Sequence, residues 1–335
     1  VPTHAPDLPP LLGDSLPMLE LKERVSAVAP LARPVLVIGE RGTGKELVAA
    51  RLHLLSRRWE RPLVALNCAA LAENLLESEL FGHEAGAFTG ALRRRIGRFE
   101  LADRSTLFLD EIGNATASVQ EKLLRAIEYG RFARVGAAAE IAVDVRVVAA
   151  THADLPREAA AGRFRADLLD RLAFEVLQVP PLRARRDDIP RLAAHFGRAM
   201  ALELGRDGFP GFTPATLAAL AAHDWPGNVR ELRNVVERAV YREADPERPI
   251  ATLELDPFAA PWQALPAPAA EVASPSAVPG DFGAALDAHA RHLLESALAA
   301  HRHNQRAAAR ALGLGYDQLR YLLKKHGLGG RRRGA

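Results

Sequence analysis

The sequence predicts an α/β protein: a parallel sheet with flanking helices, then a helical subdomain, then a small all-α unit. Three observations carry this. Short apolar runs alternate with amphipathic stretches as far as residue 179. From Ile189 to Arg242 the pattern is helical alone. Residues 257–280 then hold six prolines and eight alanines but one charged side chain, Glu271. Alternating strand and helix signals mean a parallel sheet covered by helices. The Pro/Ala-rich stretch cannot build a core and reads as a semi-extended linker. At 335 residues the chain has room for more than one domain. The predicted divisions are 1–258 for the sheet-containing domain, with its helical subdomain at about 185–258, 259–282 for the linker, 283–328 for the C-terminal domain and 329–335 for a basic tail.

Composition narrows the class. At 48% hydrophobic and 25% charged, the chain is globular, which excludes wholesale disorder and collagen-like or coiled-coil classes. No apolar run approaches the roughly 18 residues of a membrane helix, and the N-terminus lacks the basic start and apolar stretch of a secretory signal. The lone Cys68 forms no internal disulfide and suits a reducing cytoplasm. The net charge of +3 hides an asymmetry: residues 283–335 carry ten lysines and arginines against three acids, the rest 34 against 38. A basic C-terminal unit on a mildly acidic body points to a module that meets a polyanion.

The strands come in order at Pro34–Gly39, Pro62–Asn67, Thr106–Asp110, Val145–Thr151 and Phe174–Val179. Each is short, leucine-rich or β-branched, and bounded by turn or polar residues, as in a sheet buried on both faces. Glu46–Arg58 and Ala117–Tyr129 read as helices between them.

The first strand runs into Gly39-Glu40-Arg41-Gly42-Thr43-Gly44-Lys45, which fits G-x-x-x-x-G-K and opens a helix. That is the context a phosphate-binding loop requires. Its glycines let the backbone wrap phosphates, and the amides of the helix start point at the anion. Lys45 would reach the β- and γ-phosphates. The residue after the lysine is Glu46, where a Ser or Thr usually ligates magnesium.

The third strand, Thr106-Leu107-Phe108-Leu109-Asp110-Glu111, delivers two carboxylates at its end. Asp110 is placed to hold Mg²⁺, directly or through water, and Glu111 to polarise the attacking water. Asn67, ending the intervening strand, lies beside them if the strands are neighbours. Charge developing on a γ-phosphate needs cations besides Lys45. Arg165 and Arg171 follow the fourth strand, and Arg230 lies in Trp225-Pro226-Gly227-Asn228-Val229-Arg230, where a turn starts a helix. On composition alone such arginines are most often surface ion pairs.

Gly86-Ala87-Phe88-Thr89-Gly90-Ala91 is a Gly/Ala-rich hexapeptide with one aromatic and one hydroxyl. Such a segment suits a mobile loop tip that touches a partner; a buried glycine-rich turn is the plainer reading. With Glu79-Leu80-Phe81-Gly82-His83-Glu84 before it, this segment resembles the AAA+ activators of sigma-54 RNA polymerase, the bacterial enhancer-binding proteins. The G-A-F-T-G-A core is close to unique to that family. The resemblance runs from Leu12-Gly13-Asp14-Ser15 to the C-terminal helices, and G-T-G-K-E is the family's usual form, which accounts for Glu46.

The resemblance implies ATP and Mg²⁺ as cofactors and a hexameric ring. It implies that Gly86, Ala87, Phe88, Thr89, Gly90 and Ala91 contact sigma-54. Arg165 and Arg171 would be arginine fingers entering the neighbouring subunit's site. Thr151 would be the sensor ending the fourth strand and Arg230 a second sensor. His152 stands where many relatives have Asn, so nucleotide sensing there is expected to rest mainly on Thr151. Only about ten residues precede Leu11, which leaves no room for the receiver or ligand-sensing domain many relatives carry. That feature, with Arg51–Trp59, Phe209-Pro210-Gly211-Phe212 and Val235–Arg242, is similar to the branch serving the phage shock (envelope stress) response. That similarity implies that its brake is a separate protein, phage shock protein A, acting near Trp59.

Residues 305–324 fit a helix-turn-helix. Ala308, Leu312, Leu314, Leu319 and Leu322 fall on apolar positions, Ala309 where the helices cross and Gly313 at the turn. The second helix offers Tyr316, Gln318, Arg320, Tyr321 and Lys324 to base edges and phosphates. Ala284–Ala300 is an amphipathic helix suited to dimerising the module, as in Fis-type domains. His289, His292, His301 and His303 supply no defined metal-ligand set.

Two functions follow. One is an ATP-driven activator that opens sigma-54 promoters while gripping enhancer DNA, cytoplasmic and nucleoid-associated. The other is a AAA+ chaperone or protease partner with an accessory DNA-binding module. ATPase activity does not separate them; the G-A-F-T-G-A loop favours the first.

Overall fold

In a computed structural model, residues 10–71, 73–257, 282–301 and 304–328 are described. The chain divides into two units, Val1–Pro257 and Phe258–Ala335. The expected linker and basic tail, and His303, lie almost wholly or wholly outside the described residues.

The first unit runs α1 (Leu16–Val28), β1 (Val35–Ile38), α2 (Lys45–Leu54), β2 (Val64–Asn67), α3 (Glu73–Phe81), α4 (Arg98–Leu101), β3 (Thr106–Asp110) and α5 (Ala117–Tyr129). It continues with β4 (Arg131–Ala133), β5 (Glu140–Ala142), β6 (Arg146–Thr151), α6 (Leu155–Ala160), α7 (Ala166–Leu172) and β7 (Glu175–Gln178). Among the described residues, five strands form one parallel sheet in the order β2-β3-β6-β1-β7. Side chains alternate across it. Leu36, Leu107, Leu109, Val147 and Ala149 pack with Leu80, Phe81, Leu123 and Leu168 on one face. Val35, Val37, Phe108, Val148 and Ala150 pack with Met18, Val25, Val48 and Leu52 on the other. Burial on both faces is why these strands read as continuous apolar runs.

Register then decides what the sheet presents. Asn67 pairs with Asp110 and Ile38 with Thr151, so β1, β2, β3 and β6 end together at one edge. The carboxyl edge of an open α/β sheet is where ligands bind. At the opposite edge the fully buried Arg146 donates to Val28 O (3.2 Å), Ala29 O (2.7 Å) and Leu52 O (3.4 Å). These carbonyls end α1 and α2, so one guanidinium meets the negative ends of two helix dipoles.

Beyond the sheet, α8 (Ile189–Glu203), α9 (Pro214–Ala222) and α10 (Asn228–Arg242) close around Trp225, which is buried with its indole N–H on Leu220 O at 2.8 Å. The β4–β5 hairpin was not expected. The predicted helix Glu46–Arg58 ends at Leu54, where the Ser56 hydroxyl donates to His53 O at 2.6 Å and the chain turns. Trp59 therefore stands on a turn, half exposed, rather than at a helix end.

The second unit holds α11 (Phe282–Ala300), α12 (Gln305–Ala311) and α13 (Tyr316–Lys325). Leu294, Leu298, Ala308, Ala309, Leu319 and Leu323 form its core. Asn304 caps α12 by accepting from Ala307 N at 3.2 Å, and the turn to α13 passes through Gly313.

Candidate nucleotide site and partner loop

Gly39–Gly44 leaves β1 and wraps ahead of α2, which begins at Lys45. Gly42 has no room for a side chain: a Cβ there would lie 2.3 Å from Gly227 O, and its φ of +77° favours glycine in any case. The Thr43 hydroxyl turns back to Glu40 O at 2.8 Å. Lys45 is buried, with Nζ 3.0 Å from Gly39 O, 3.3 Å from Glu40 O and 3.6 Å from Glu111 Oε1. The cation is thus held inside the loop, facing the carboxylate that ends the third strand.

That carboxylate sits on a left-handed backbone. Glu111 has φ +53°, rare for a residue with a side chain. Its Oε2 lies 2.6 Å from His152 Nδ1 at the end of β6. Asp110 Oδ2 accepts from Asn67 Nδ2 at 3.0 Å, as neighbouring strands require, and Asn67 Oδ1 accepts from Ala69 N at 2.8 Å. Burial, then the charges of Glu111 and Glu46, push the Asp110 carboxyl above its usual range. Burial, then the charges of Asp110 and Glu111, push the Cys68 thiol up to about 12, which leaves it unreactive.

Thr151 is fully buried, and its hydroxyl accepts from Ala153 N at 3.0 Å. At the end of β6 it is His152, not Thr151, that touches Glu111. Arg230 sits over the loop, its Cβ 3.1 Å from where a Cβ on Gly42 would stand. Arg165 and Arg171 are not gathered into this cluster. Arg165 pairs with Asp167 at 2.7 Å and Arg171 with Glu128, and both arginines are exposed.

Glu40, inside the phosphate loop, forms two bonds with Arg183 (2.6 and 2.8 Å) and one with Asn228 (3.1 Å). Arg183 and Asn228 together hold its carboxyl down to about 2. Neither partner was expected. The one signal was an asparagine after a glycine in Trp225-Pro226-Gly227-Asn228, a type that tolerates positive φ.

The hexapeptide Gly86–Ala91 is a surface turn, not a buried one: only Ala91 is buried, and Phe88 and Thr89 are exposed. Gly86 and Gly90 have φ of +81° and +102° and nothing within reach of an added Cβ, so backbone conformation alone selects glycine there. Gly86 N donates to Ala91 O at 2.8 Å, closing the tip. Phe88 rests edge-on against His83, ring centroids 5.0 Å apart. The base is braced by the β4–β5 segment: Glu84 N bonds to Val135 O, and Arg134 reaches Glu84 (2.7 Å) and Glu100 (2.6 and 2.8 Å).

In the second unit, Tyr316, Arg320, Tyr321 and Lys324 are exposed on α13. Arg306 of α12 lies over the Tyr316 ring at 5.6 Å. Gln318 is partly spent: its Oε1 accepts from Gly315 N at 2.9 Å and caps the helix. Its amide NH₂ remains on an exposed surface.

Residues 11–178 match the sigma-54 interaction domain, residues 183–260 a AAA+ ATPase lid domain and residues 291–326 the Fis family of bacterial regulatory proteins. The chain is 53% identical to the Psp operon transcriptional activator of Escherichia coli K12 over 94% of its own length and 97% of that protein. It is 56% identical over 69% of its length to the transcriptional regulatory protein ZraR of Salmonella typhimurium LT2, of which it spans 52%. NtrX from Brucella abortus, solved in complex with ATP, superposes with a TM-score of 0.68 at 34% identity, covering 95% of this chain and 69% of that one.

Proposed function

Because the chain belongs to the AAA+ activators of sigma-54 RNA polymerase, we propose that it spends ATP hydrolysis to remodel the sigma-54 closed promoter complex through Gly86–Ala91. The chain is an ATPase of this family with a Fis-type helix-turn-helix domain. The observation that carries the proposal is the exposed hexapeptide on a braced base: chemistry sits at the sheet edge, while one aromatic and one hydroxyl are offered outward. A purified wild-type chain should form a stable complex with sigma-54 in the presence of ATP's γ-phosphate mimic and not without it. Equal association in both conditions would contradict the reading.

The phosphate loop amides and Lys45 bind the phosphates, and Arg230 approaches them from the helical subdomain. Glu40, Arg41, Thr43 and Glu46 shape the loop and its approach. Asp110, its carboxyl raised among Glu111 and Glu46, is a donor that a divalent cation would neutralise; Mg²⁺ fits it. When bound there, such an ion would supply charge neutralisation for the phosphates. Glu111 polarises the attacking water, and Asn67 orients Asp110. Thr151 and His152, at the end of β6, carry the presence of the γ-phosphate to Glu111.

Arg165 and Arg171 act in trans, in a homo-hexamer. Their exposure, and partners that are surface acids rather than the phosphate loop, support this. Arg165→Ala and Arg171→Ala should each hydrolyse ATP at least about tenfold more slowly, since such cations stabilise transferring phosphoryl groups. Mixing either with a Lys45→Ala chain should restore part of the activity, one partner supplying the pocket and the other the finger. No recovery in assemblies shown to be mixed would place the arginines in their own subunit.

The C-terminal unit binds enhancer DNA through Tyr316, Arg320, Tyr321 and Lys324, with the amide of Gln318 as a further donor. The likeness to the Psp operon activator over nearly the whole of both chains supports promoters of the phage shock response. It also supports phage shock protein A as a brake at exposed Trp59. No helix among the described residues is long and apolar enough to cross a membrane, and a cytoplasmic, nucleoid-associated location fits a DNA-binding activator.

A further inference from the structure

Three segments meet on the side chain of Asn228. It is fully buried, and its backbone is left-handed at φ +54°. Every polar atom of the amide is used. Oδ1 accepts the N–H of Leu182 at 2.8 Å, from the connection between sheet and helical subdomain. Nδ2 donates to Glu40 Oε2 and to Arg41 O, both at 3.1 Å, in the phosphate loop. The next residue extends the junction, since Val229 N donates to Gly42 O at 3.0 Å. Arg230, one residue further, is thereby laid against Gly42.

An amide is the one group of this length with both a donor and an acceptor to meet these demands. A carboxylate at position 228 would lose both donated bonds and stand 3.1 Å from a Glu40 oxygen. Glycine would keep the backbone but leave Leu182 N and Arg41 O without their partner.

We propose that Asn228 is a positioning residue for nucleotide binding: by clasping Glu40 and Arg41 it locks the phosphate loop to the start of α10 and so sets Arg230 over the phosphates. This rests on the nucleotide-binding reading of the loop and deepens it.

The test is a titration of the full chain with a fluorescent ATP analogue, using wild type, Asn228→Asp, Glu40→Gln, the double variant and Asn228→Gly. Asn228→Asp should bind about tenfold or more weakly, because it removes hydrogen bonds to a charged group and adds a like charge. Added to Glu40→Gln, the same change should cost about threefold less, since a glutamine at position 40 can donate to the new carboxylate; groups in contact are non-additive. Asn228→Gly should bind at least about threefold more weakly, with φ relieved of strain. Affinity within twofold of wild type for Asn228→Asp, or an equal penalty in both Glu40 backgrounds, would overturn the proposal. If Asn228→Asp does not fold, Asn228→Gly decides alone, and wild-type affinity there overturns it. Lys45→Ala in the same titration separates the two readings: should it bind as tightly as wild type, the phosphate-loop assignment fails instead.

Discussion

Glu111→Gln is expected to bind ATP almost as wild type does and to hydrolyse it at least about a hundredfold more slowly, the usual contribution of a positioned general base. The carboxylate lies at the meeting of two elements, 3.6 Å from Lys45 Nζ on the phosphate loop and 2.6 Å from His152 Nδ1 at the end of β6. An amide of the same shape keeps the packing and one oxygen for those contacts. It removes the charge proposed to polarise the attacking water. Lys45 keeps two backbone acceptors, Gly39 O and Glu40 O, so the pocket's cation stays in place. Phosphate release and analogue binding measured on one preparation check this. Turnover within about tenfold of wild type would remove Glu111 from its assigned role, since a positioned base contributes more than that.

Much of this site is legible because register is legible. Strands buried on both faces announce themselves as apolar runs, and their ends carry Gly39, Asn67, Asp110 and Thr151 to one edge once the sheet is parallel. The Asn67–Asp110 contact follows from strand adjacency alone. What escapes is tertiary. The strands Arg131–Ala133 and Glu140–Ala142 are three residues each with charges at their ends, too short for alternation to show. Yet they brace the partner loop through Arg134 and Val135.

Asn228 and Arg183 escape for another reason: each meets Glu40 across more than 140 positions of sequence, and no periodicity marks such a pair. His152 stands in the sequence as a substitute for a commoner residue, and only the fold shows it on Glu111. Gln318 faces outward by helical spacing, but the glycine before its helix has no side chain to cap with, so the glutamine folds back to do so. The helix predicted to run to Arg58, just before Trp59, stops at Leu54, where a serine hydroxyl satisfies the carbonyl of His53.

If hydrolysis and promoter opening are separate jobs joined by a loop, Thr89→Ala should uncouple them. Thr89 is exposed at the tip, away from the sheet edge that carries Asp110 and Glu111. The tip closes through backbone bonds, Gly86 N to Ala91 O and Ala91 N to Phe88 O, which alanine leaves intact. ATP turnover and ring assembly should therefore survive at a substantial fraction of wild type. Binding to sigma-54 rests on a small surface, where losing one anchor costs about 2 kcal/mol or more. By the rule of tenfold per 1.4 kcal/mol, that is roughly a thirtyfold loss of complex. The most direct measurement follows ATP turnover, assembly by sedimentation, and open-complex formation on a sigma-54 promoter, all on one Thr89→Ala preparation. Assembled rings should continue to hydrolyse ATP and form no open complex; promoter opening at the wild-type level, or joint collapse of hydrolysis and assembly, would show the loop to be a structural turn.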